Sequence, residues 1–303
     1  MPKDKKVELF LDSGAFSAWT QNIKINVDDY ISFIKEHEDV IDVYANLDVI
    51  DSPKKTWENQ MIMERAGLNP LPVYHTPFES PKWLQRYLNQ GYDYIALGGM
   101  AGGIISKKQI IKQLDFVFSN LLCNEKGIPL VKVHGFGLTA LDIMLRYPWY
   151  SVDSTSWVIT GRMGSVYIPR YKEGKWIYDE NSWKIAVSNR SPNAKEAGKH
   201  IETLPPTEKR IALNYIHDKG YRLGKSEFKK VDQTHKLQDN ERWAEKKPKS
   251  KTVKRELEII IESGISNKYQ LRDEMNIIYF LDLEKSMPEW PWVFKMKGQN
   301  GLF

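Results

Sequence analysis

The chain has 303 residues, 41% apolar and 12% aromatic, so it can bury a full-sized core and is not expected to be disordered. Its net charge of +5 suits a polyanionic partner, although many proteins without one share that balance. The single cysteine, Cys123, excludes a disulfide framework and a Cys-based zinc site within the chain.

The sequence carries no apolar signal region at its start, and no apolar stretch reaches the roughly 18 to 20 residues that cross a bilayer. We therefore expect a soluble, cytoplasmic protein with no membrane partner.

The first half of the chain alternates strand-like and helix-like segments. Apolar β-type runs are predicted over residues 7–11, 41–47, 71–74, 92–97, 130–133 and 149–152. Helices are predicted between them over residues 27–38, 53–66, 81–89, 106–122 and 138–146. Such alternation is typical of parallel strands joined by right-handed crossovers.

Each of the six β-type runs leads into a polar residue or a glycine pair. These ends are Asp12, Asp48, His75, Gly98-Gly99, His134 and Asp153. Because the polar ends occur throughout the series, they favour an irregular (β/α) TIM-type barrel, in which all strand ends meet at one mouth. The first βα turn also lacks a dinucleotide-binding glycine pattern. Residues 1–160 are therefore predicted to form an α/β barrel with catalytic residues at its mouth.

The second half, residues 161–303, has a different pattern. Segments 165–169 and 175–178 predict an aromatic β-hairpin, residues 206–217 predict a helix, and residues 225–255 are basic and polar. Apolar spacing resumes over 256–263 and 267–283. We expect this half to form α+β additions that complete the barrel, bind nucleic acid, or do both.

Two acids at strand ends, Asp12 and Asp153, could divide a displacement reaction at a sugar carbon. One would attack the anomeric centre while the other moves protons. Gly98 and Gly99 would let the backbone approach a flat ligand closely. The simpler alternative is that an aspartate at a strand end caps the next helix or turn.

The two histidines at strand ends, His75 and His134, fit a structural hydrogen-bonding role as well as a catalytic one. The six histidines of the chain show no metal-ligand spacing, so we expect no metal and no cofactor.

Four segments resemble motifs of the queuine/archaeosine tRNA-guanine transglycosylases. Residues 11–17, Leu-Asp-Ser-Gly-Ala-Phe-Ser, resemble their Asp-Ser-Gly-Gly-Phe motif, and residues 92–100 resemble their Gly-Phe-x-x-x-Ala-Ile-Gly-Gly-Leu segment. Residues 134–138, His-Gly-Phe-Gly-Leu, resemble their Met-Gly-Val-Gly turn. Residues 152–157, Val-Asp-Ser-Thr-Ser-Trp, resemble the Phe-Asp-Ser-Ala-Ser-Tyr segment that carries their nucleophile.

The resemblance implies roles for matched residues. Asp153 would attack C1′ and form a glycosyl-enzyme intermediate, Asp12 would be the general acid/base, and Asp48 would read the guanine edge. His75 stands where the family uses glutamine. The remaining residues implied to bind the base are Ser13, Gly14, Phe16, Gly98, Gly99, His134 and Gly135.

The departures from the family pattern narrow the prediction. The tRNA enzymes carry a Cys-x-Cys-x-x-Cys…His zinc site that one cysteine cannot supply, and Ala15 replaces one of their glycines. Such zinc-less chains look most like the phage and bacterial DNA transglycosylases, which exchange guanine in DNA for a 7-deazaguanine such as preQ0. The implied partners are DNA, as a duplex with a flipped base or a single strand, and the free 7-deazaguanine base.

A base inside a duplex must leave the stack before its C1′ can be attacked, and this requires phosphate anchoring. The basic run supplies candidates for that contact, Lys246, Lys247, Lys249 and Lys251. Aromatic residues of the 165–178 hairpin could stack on exposed bases. The alternatives are a solvated lysine loop and aromatic residues that belong to the core.

Three other functions stay open at this point: base exchange on tRNA, base hydrolysis by a glycosidase with the same two acids, and a catalytically inactive barrel that binds nucleic acid. A homo-oligomer or an accessory protein stays open as a further partner.

Overall fold

A computed structural model describes residues 8–76, 78–100, 105–138, 140–190, 196–232, 234–246 and 254–296. The chain divides into two compact units. The first contains residues 1–154 and the segment from 288 onward, and the second contains residues 155–287. Within the described ranges, none of the helices combines the length and apolar character of a membrane span.

The first unit is built from six short strands alternating with helices. The strands are β1 (Phe10–Leu11), β2 (Val43–Tyr44), β3 (Val73–His75), β4 (Tyr94–Gly98), β5 (Lys132–Gly135) and β6 (Ser151–Val152). The helices are α1 (Ala15–Thr20), α2 (Val27–Glu36), α3 (Pro53–Arg65), α4 (Pro81–Asn89), α5 (Lys107–Val117), which continues as a π-helical turn (Phe118–Leu122), and α6 (Leu141–Met144).

These strands pair in parallel and in chain order. β1 pairs with β2, and β3, β4, β5 and β6 follow one another in a second sheet. A parallel bridge between Ala45 and Leu71 links the two sheets. All six carboxyl ends therefore lie along one edge. Among the described residues no pairing joins β6 back to β1, so the barrel stays a prediction.

Local sequence explains where α2 begins and which face it buries. The Asn26 side chain accepts a hydrogen bond from the Asp28 N–H and so caps the first turn. Tyr30, Ile31 and Ile34 recur at helical spacing and are buried against Leu47 and Met63, among others.

The short helix α1 was not expected from the sequence. It starts directly after Gly14, whose φ of +71° lies in the left-handed region that glycine adopts without strain. The turn lets the chain leave β1 at Asp12 and enter a helix three residues later.

The second unit mixes antiparallel strands with three helices. The strands are β7 (Ser165–Ile168), β8 (Arg170–Lys172), β9 (Lys175–Ile177), β10 (Trp183–Ala186), β11 (Lys225–Lys229), β12 (Glu241–Lys246) and β13 (Lys254–Glu262). The helices are α7 (Ser156–Arg162), α8 (Pro206–Asp218) and α9 (Tyr269–Ser286), with a 3-10 turn at Ile201–Thr203.

The pairing of these strands corrects one sequence expectation. Segment 165–169 does not pair with segment 175–178, because β7 pairs with β10 and the hairpin consists of β8 and β9. Pro169 has no N–H to donate and separates β7 from β8. Glu173 and Gly174 both have positive φ, the pattern of a two-residue hairpin turn.

The described parts of the basic segment 225–255 include three paired strands. β13 lies between β11 and β12 in an antiparallel arrangement. The β12–β13 pairing runs out to Lys246 opposite Lys254.

Candidate active site

The carboxyl edge of the parallel strands carries the acids and histidines predicted from the sequence. Asp12 follows β1, His75 ends β3, His134 lies in β5 and Asp153 directly follows β6. Asp48 follows the Ala45 bridge of the second strand segment. Hydrogen bonds and charge interactions join these residues into two groups with Asp12 between them.

The first group is centred on Asp48. The Ser13 hydroxyl donates to Asp48 Oδ1 at 2.7 Å, and His75 Nε2 donates to Asp48 Oδ2 at 2.8 Å. His75 Nδ1 lies 2.7 Å from Glu79 Oε1, so the imidazole ring is held between two carboxylates. The side chains of Asp48, His75 and Glu79 are 11%, 7% and 5% exposed, so this charge network lies almost entirely out of solvent.

These contacts decide the charge of His75. Burial alone would lower its pKa, but the hydrogen bonds and negative charges of Asp48 and Glu79 outweigh burial and raise the pKa to about 9. His75 is therefore an imidazolium at neutral pH, and both of its nitrogens act as donors. A glutamine, which the resembled family has here, carries no such charge.

The two glycines at the end of β4, Gly98 and Gly99, are needed for close packing. A Cβ on Gly98 would stand 2.9 Å from His75 Cδ2. Gly99 has a φ of +81°, and a Cβ there would stand 2.7 Å from the Thr76 carbonyl oxygen. Both positions allow the β3 and β4 ends to approach closely, which places the His75 ring beside the strand edge.

Asp12 lies between the two groups. The residue is exposed overall, yet desolvation of its carboxyl group raises its pKa, and the negative charges of Asp48 and Asp153 raise that pKa further. The N–H groups of Gly14 and Ser13 act in the opposite direction without cancelling the increase. Three carboxylates therefore influence one another at this edge, and Asp12 holds its proton to higher pH than an ordinary aspartate.

Asp153 is a half-exposed acid held by a backbone hydrogen bond. Its side chain is 46% exposed, and Oδ1 accepts a hydrogen bond of 2.7 Å from the Gly137 N–H. Its own N–H donates to the Gly135 carbonyl at 3.2 Å. The turn after β5 thus holds Oδ1 of this half-exposed carboxylate.

His134 is buried beside Asp153 and does not face solvent. Phe10 stacks on its ring with 4.5 Å between centroids, and Phe136 packs against it edge-on at 4.6 Å. The neighbouring Gly135 packs under Trp149, where a Cβ would come within 3.1 Å of the indole ring. Both positions were predicted to bind the base, but these contacts give each a packing role.

Phe16 fits a stacking role better. It lies on α1, four residues after Asp12, and is 44% exposed. The exposed Trp19 ring lies 6.1 Å from it, centroid to centroid. These two rings form an open apolar surface next to the first acid.

The predicted phosphate contacts are described only in part. Lys246 is the last residue of β12, while Lys247, Lys249 and Lys251 lie outside the described residues. The basic run therefore begins at the end of the β12–β13 pairing.

The aromatic residues of the second unit mostly pack inside it. Tyr167 stacks on Tyr279 with 5.4 Å between centroids, and Trp176 packs edge-on against Tyr215 at 5.0 Å. Tyr171 is 43% exposed. These contacts favour the core alternative over a stacking platform for most of the hairpin.

Several residues of the site were not predicted from the sequence. Glu79 reaches His75 from the turn before α4, and Gly137 holds Asp153 through its backbone. Tyr94 and Ser151 join His134 by hydrogen bonds across neighbouring strands. None of these four has a sequence signal, since each acts through a contact that pairing or a turn creates.

In the part of the chain that the structure describes, no group of three or more His, Cys, Asp or Glu side chains could hold a metal ion. Comparison of the whole chain with protein-family models, with curated proteins and with solved structures gave no match. The transglycosylase resemblance therefore stays a prediction.

Proposed function

We propose that this chain is a glycosyltransferase that exchanges guanine in DNA for a 7-deazaguanine base such as preQ0. One observation carries the proposal: Asp12 and Asp153 interact electrostatically at one strand edge but have different surroundings. A double displacement at a sugar carbon needs two carboxyl groups of this kind, one protonated and one anionic.

The surroundings assign the two roles. Asp12 has a raised pKa, so it can carry the proton that a departing base must receive. Asp153 is exposed and accepts a backbone hydrogen bond on Oδ1, which leaves Oδ2 as the oxygen that can act as a nucleophile.

The reaction then proceeds in two balanced halves. Asp153 Oδ2 forms a bond to C1′ while the C1′–N9 bond breaks, and the electron pair on N9 takes the proton of Asp12. The incoming 7-deazaguanine gives its N9 proton to the Asp12 carboxylate and attacks C1′, which releases Asp153. The two halves restore both acids, so no cofactor is consumed.

The Asp48 group supports recognition of a guanine-like base. His75 stays cationic and donates to Asp48 Oδ2, which fixes the position of that carboxylate. An anionic carboxylate is an acceptor for the N–H and amino groups that guanine and 7-deazaguanines share on one edge. Phe16 offers an exposed ring on which such a base can stack.

DNA as the polymer is supported by the net charge of +5 and by the lysine run at the end of the β12–β13 pairing. These two features suit RNA equally well, so the experiment must compare the polymers directly.

The test incubates the protein with labelled preQ0 and with duplex DNA, single-stranded DNA or tRNA, followed by mass spectrometry of the released nucleosides. We expect label in DNA, none with Asp153→Asn, and unaltered labelling with the control Asp39→Asn, an exposed acid away from the strand edge. Label in tRNA alone would contradict the DNA assignment. Release of guanine without incorporation would indicate a glycosidase, and no product with any polymer would indicate a non-catalytic barrel.

A further inference from the structure

One buried ring nitrogen of the site lacks the hydrogen bond that its burial demands. His134 is 2% exposed, and its Nε2 is among the few buried side-chain atoms of the described residues without a hydrogen-bond partner. Such an atom is costly unless a partner reaches it at some stage of function. Asp153 Oδ1 lies 3.7 Å from it, just beyond hydrogen-bond distance.

The other ring nitrogen is held by a chain of two hydroxyl groups. His134 Nδ1 lies 2.7 Å from Ser151 Oγ, and Ser151 Oγ lies 2.6 Å from Tyr94 Oη. The Ser151 hydroxyl has one proton, so it can donate to only one of these two partners. The direction of this chain decides where the imidazole proton resides.

Electrostatics favours one direction. If Tyr94 donates to Ser151 and Ser151 donates to His134 Nδ1, the ring proton lies on Nε2 and faces the Asp153 carboxylate. In the opposite direction a bare Nε2 lone pair would face that carboxylate inside a buried site, which is repulsive.

Aromatic packing fixes where the Nε2 atom points. Phe10 stacks on the imidazole at an interplanar angle of 18°, and Phe136 meets it at 76°. With Nδ1 tied to Ser151 as well, the ring has no freedom to turn Nε2 away from Asp153.

We propose that His134 is a positioning residue whose Nε2–H, together with the Gly137 N–H, holds Oδ1 of Asp153 so that Oδ2 is the atom that attacks C1′. The inference rests on the proposed function, because it assigns the attacking oxygen of that reaction. The 3.7 Å separation closes when substrate binds, as catalytic hydrogen bonds often do. In the covalent intermediate Oδ1 becomes the ester carbonyl oxygen and still accepts from both donors.

The first arm of the test measures the tautomer without any substrate. Nitrogen-15 NMR of histidine-labelled protein distinguishes Nε2–H from Nδ1–H, and the His134 signal is the one that disappears in His134→Gln. We expect the Nε2–H tautomer in the unaltered protein and a mixture in Ser151→Ala, which loses the donor to Nδ1. An Nδ1–H tautomer in the unaltered protein overturns the inference.

The second arm measures base exchange with saturating preQ0. We expect His134→Leu to lower kcat by about 10- to 100-fold with little change in KM for the base, because a misdirected carboxylate slows attack without weakening base binding. His134→Gln, whose amide can place an N–H near the former Nε2, should restore most of the rate. An equal loss in both variants, or a change confined to KM, overturns the positioning role.

The outcomes separate this inference from the proposed function. If His134→Leu does not fold, Ser151→Ala still reports through the tautomer and through kcat. If the protein exchanges bases but His134 is the Nδ1–H tautomer, the positioning role of His134 is overturned and the proposed function stands. Absence of exchange in the unaltered protein overturns the proposed function and the catalytic role of His134 with it.

Discussion

His75 and Asp48 form a buried ion pair at the carboxyl edge of the strands, with 2.8 Å between Nε2 and Oδ2, although they come from two different strand segments. Glu79 completes the pair on the opposite side of the imidazole. The cation between two acids explains how a cluster of carboxylates can persist next to Asp12.

The first prediction concerns stability against pH. The pKa of His75 is raised from its ordinary 6.5 to about 9, so its stabilisation is complete below pH 6.5 and is lost as the pH rises through 9. We expect the free energy of unfolding to fall by up to about 3 kcal/mol between pH 6.5 and 10 relative to His75→Gln. Urea unfolding across this range measures the difference, and parallel curves for the two proteins would contradict it.

The second prediction concerns the loss of activity at high pH. Since Asp12 acts protonated, kcat/KM for DNA should fall as the pH rises through its elevated pKa. Asp48→Asn removes one of the charges that raise this pKa, so the decline should move to lower pH. Asp39→Asn should leave the profile in place. If Asp48→Asn lowers kcat/KM at every pH but leaves the pH of the decline unchanged, the coupling between Asp48 and Asp12 is refuted.

The third prediction tests the close approach at Gly98. In Gly98→Ala the new methyl group would meet His75 Cδ2 at 2.9 Å and displace the ring, costing about 1 to 3 kcal/mol. Gly91→Ala is the comparison, because that site is sterically open but has a φ of +85°. NMR titration of His75 should show a lower pKa in Gly98→Ala only. An unchanged titration would mean that the ring absorbs the methyl group without losing its partners.

The fourth prediction concerns DNA affinity. Replacing Lys246, Lys247, Lys249 and Lys251 by glutamine should weaken DNA binding and flatten its salt dependence, by roughly 0.9 in log–log slope for each phosphate that is no longer neutralised. The control replaces four exposed lysines of the first unit, Lys35, Lys55, Lys108 and Lys126. Fluorescence anisotropy over a range of salt concentrations measures both slopes. Equal reductions in affinity for both quadruple variants would indicate a general charge effect.

Strand order in the first unit was predictable because each parallel strand has a local signature and a polar end. The six segments that precede Asp12, Asp48, His75, Gly98, His134 and Asp153 lie in the expected order, with their ends at one edge. Barrel closure depends on register and tilt along the whole series of strands, and local sequence patterns do not carry that information.

Contacts between the site residues could not be predicted, because they depend on side-chain direction across strands. The sequence gives no reason for His75 to select Asp48 and Glu79, or for Ser151 to join His134. The predicted pairing of segments 165–169 and 175–178 was wrong for a similar reason, because strand partners cannot be identified from local patterns. Aromatic alternation indicates strands, but the partner of β7 is β10, which follows the β8–β9 hairpin.

Phe10 connects the surroundings of the two acids Asp12 and Asp153. Its ring lies two residues before Asp12 and stacks on His134, which in turn faces Asp153. This one benzene ring therefore links the strand that precedes Asp12 to the imidazole that faces Asp153. A bulky aromatic two positions upstream of the first acid is accordingly a feature by which other chains of the same design can be recognised.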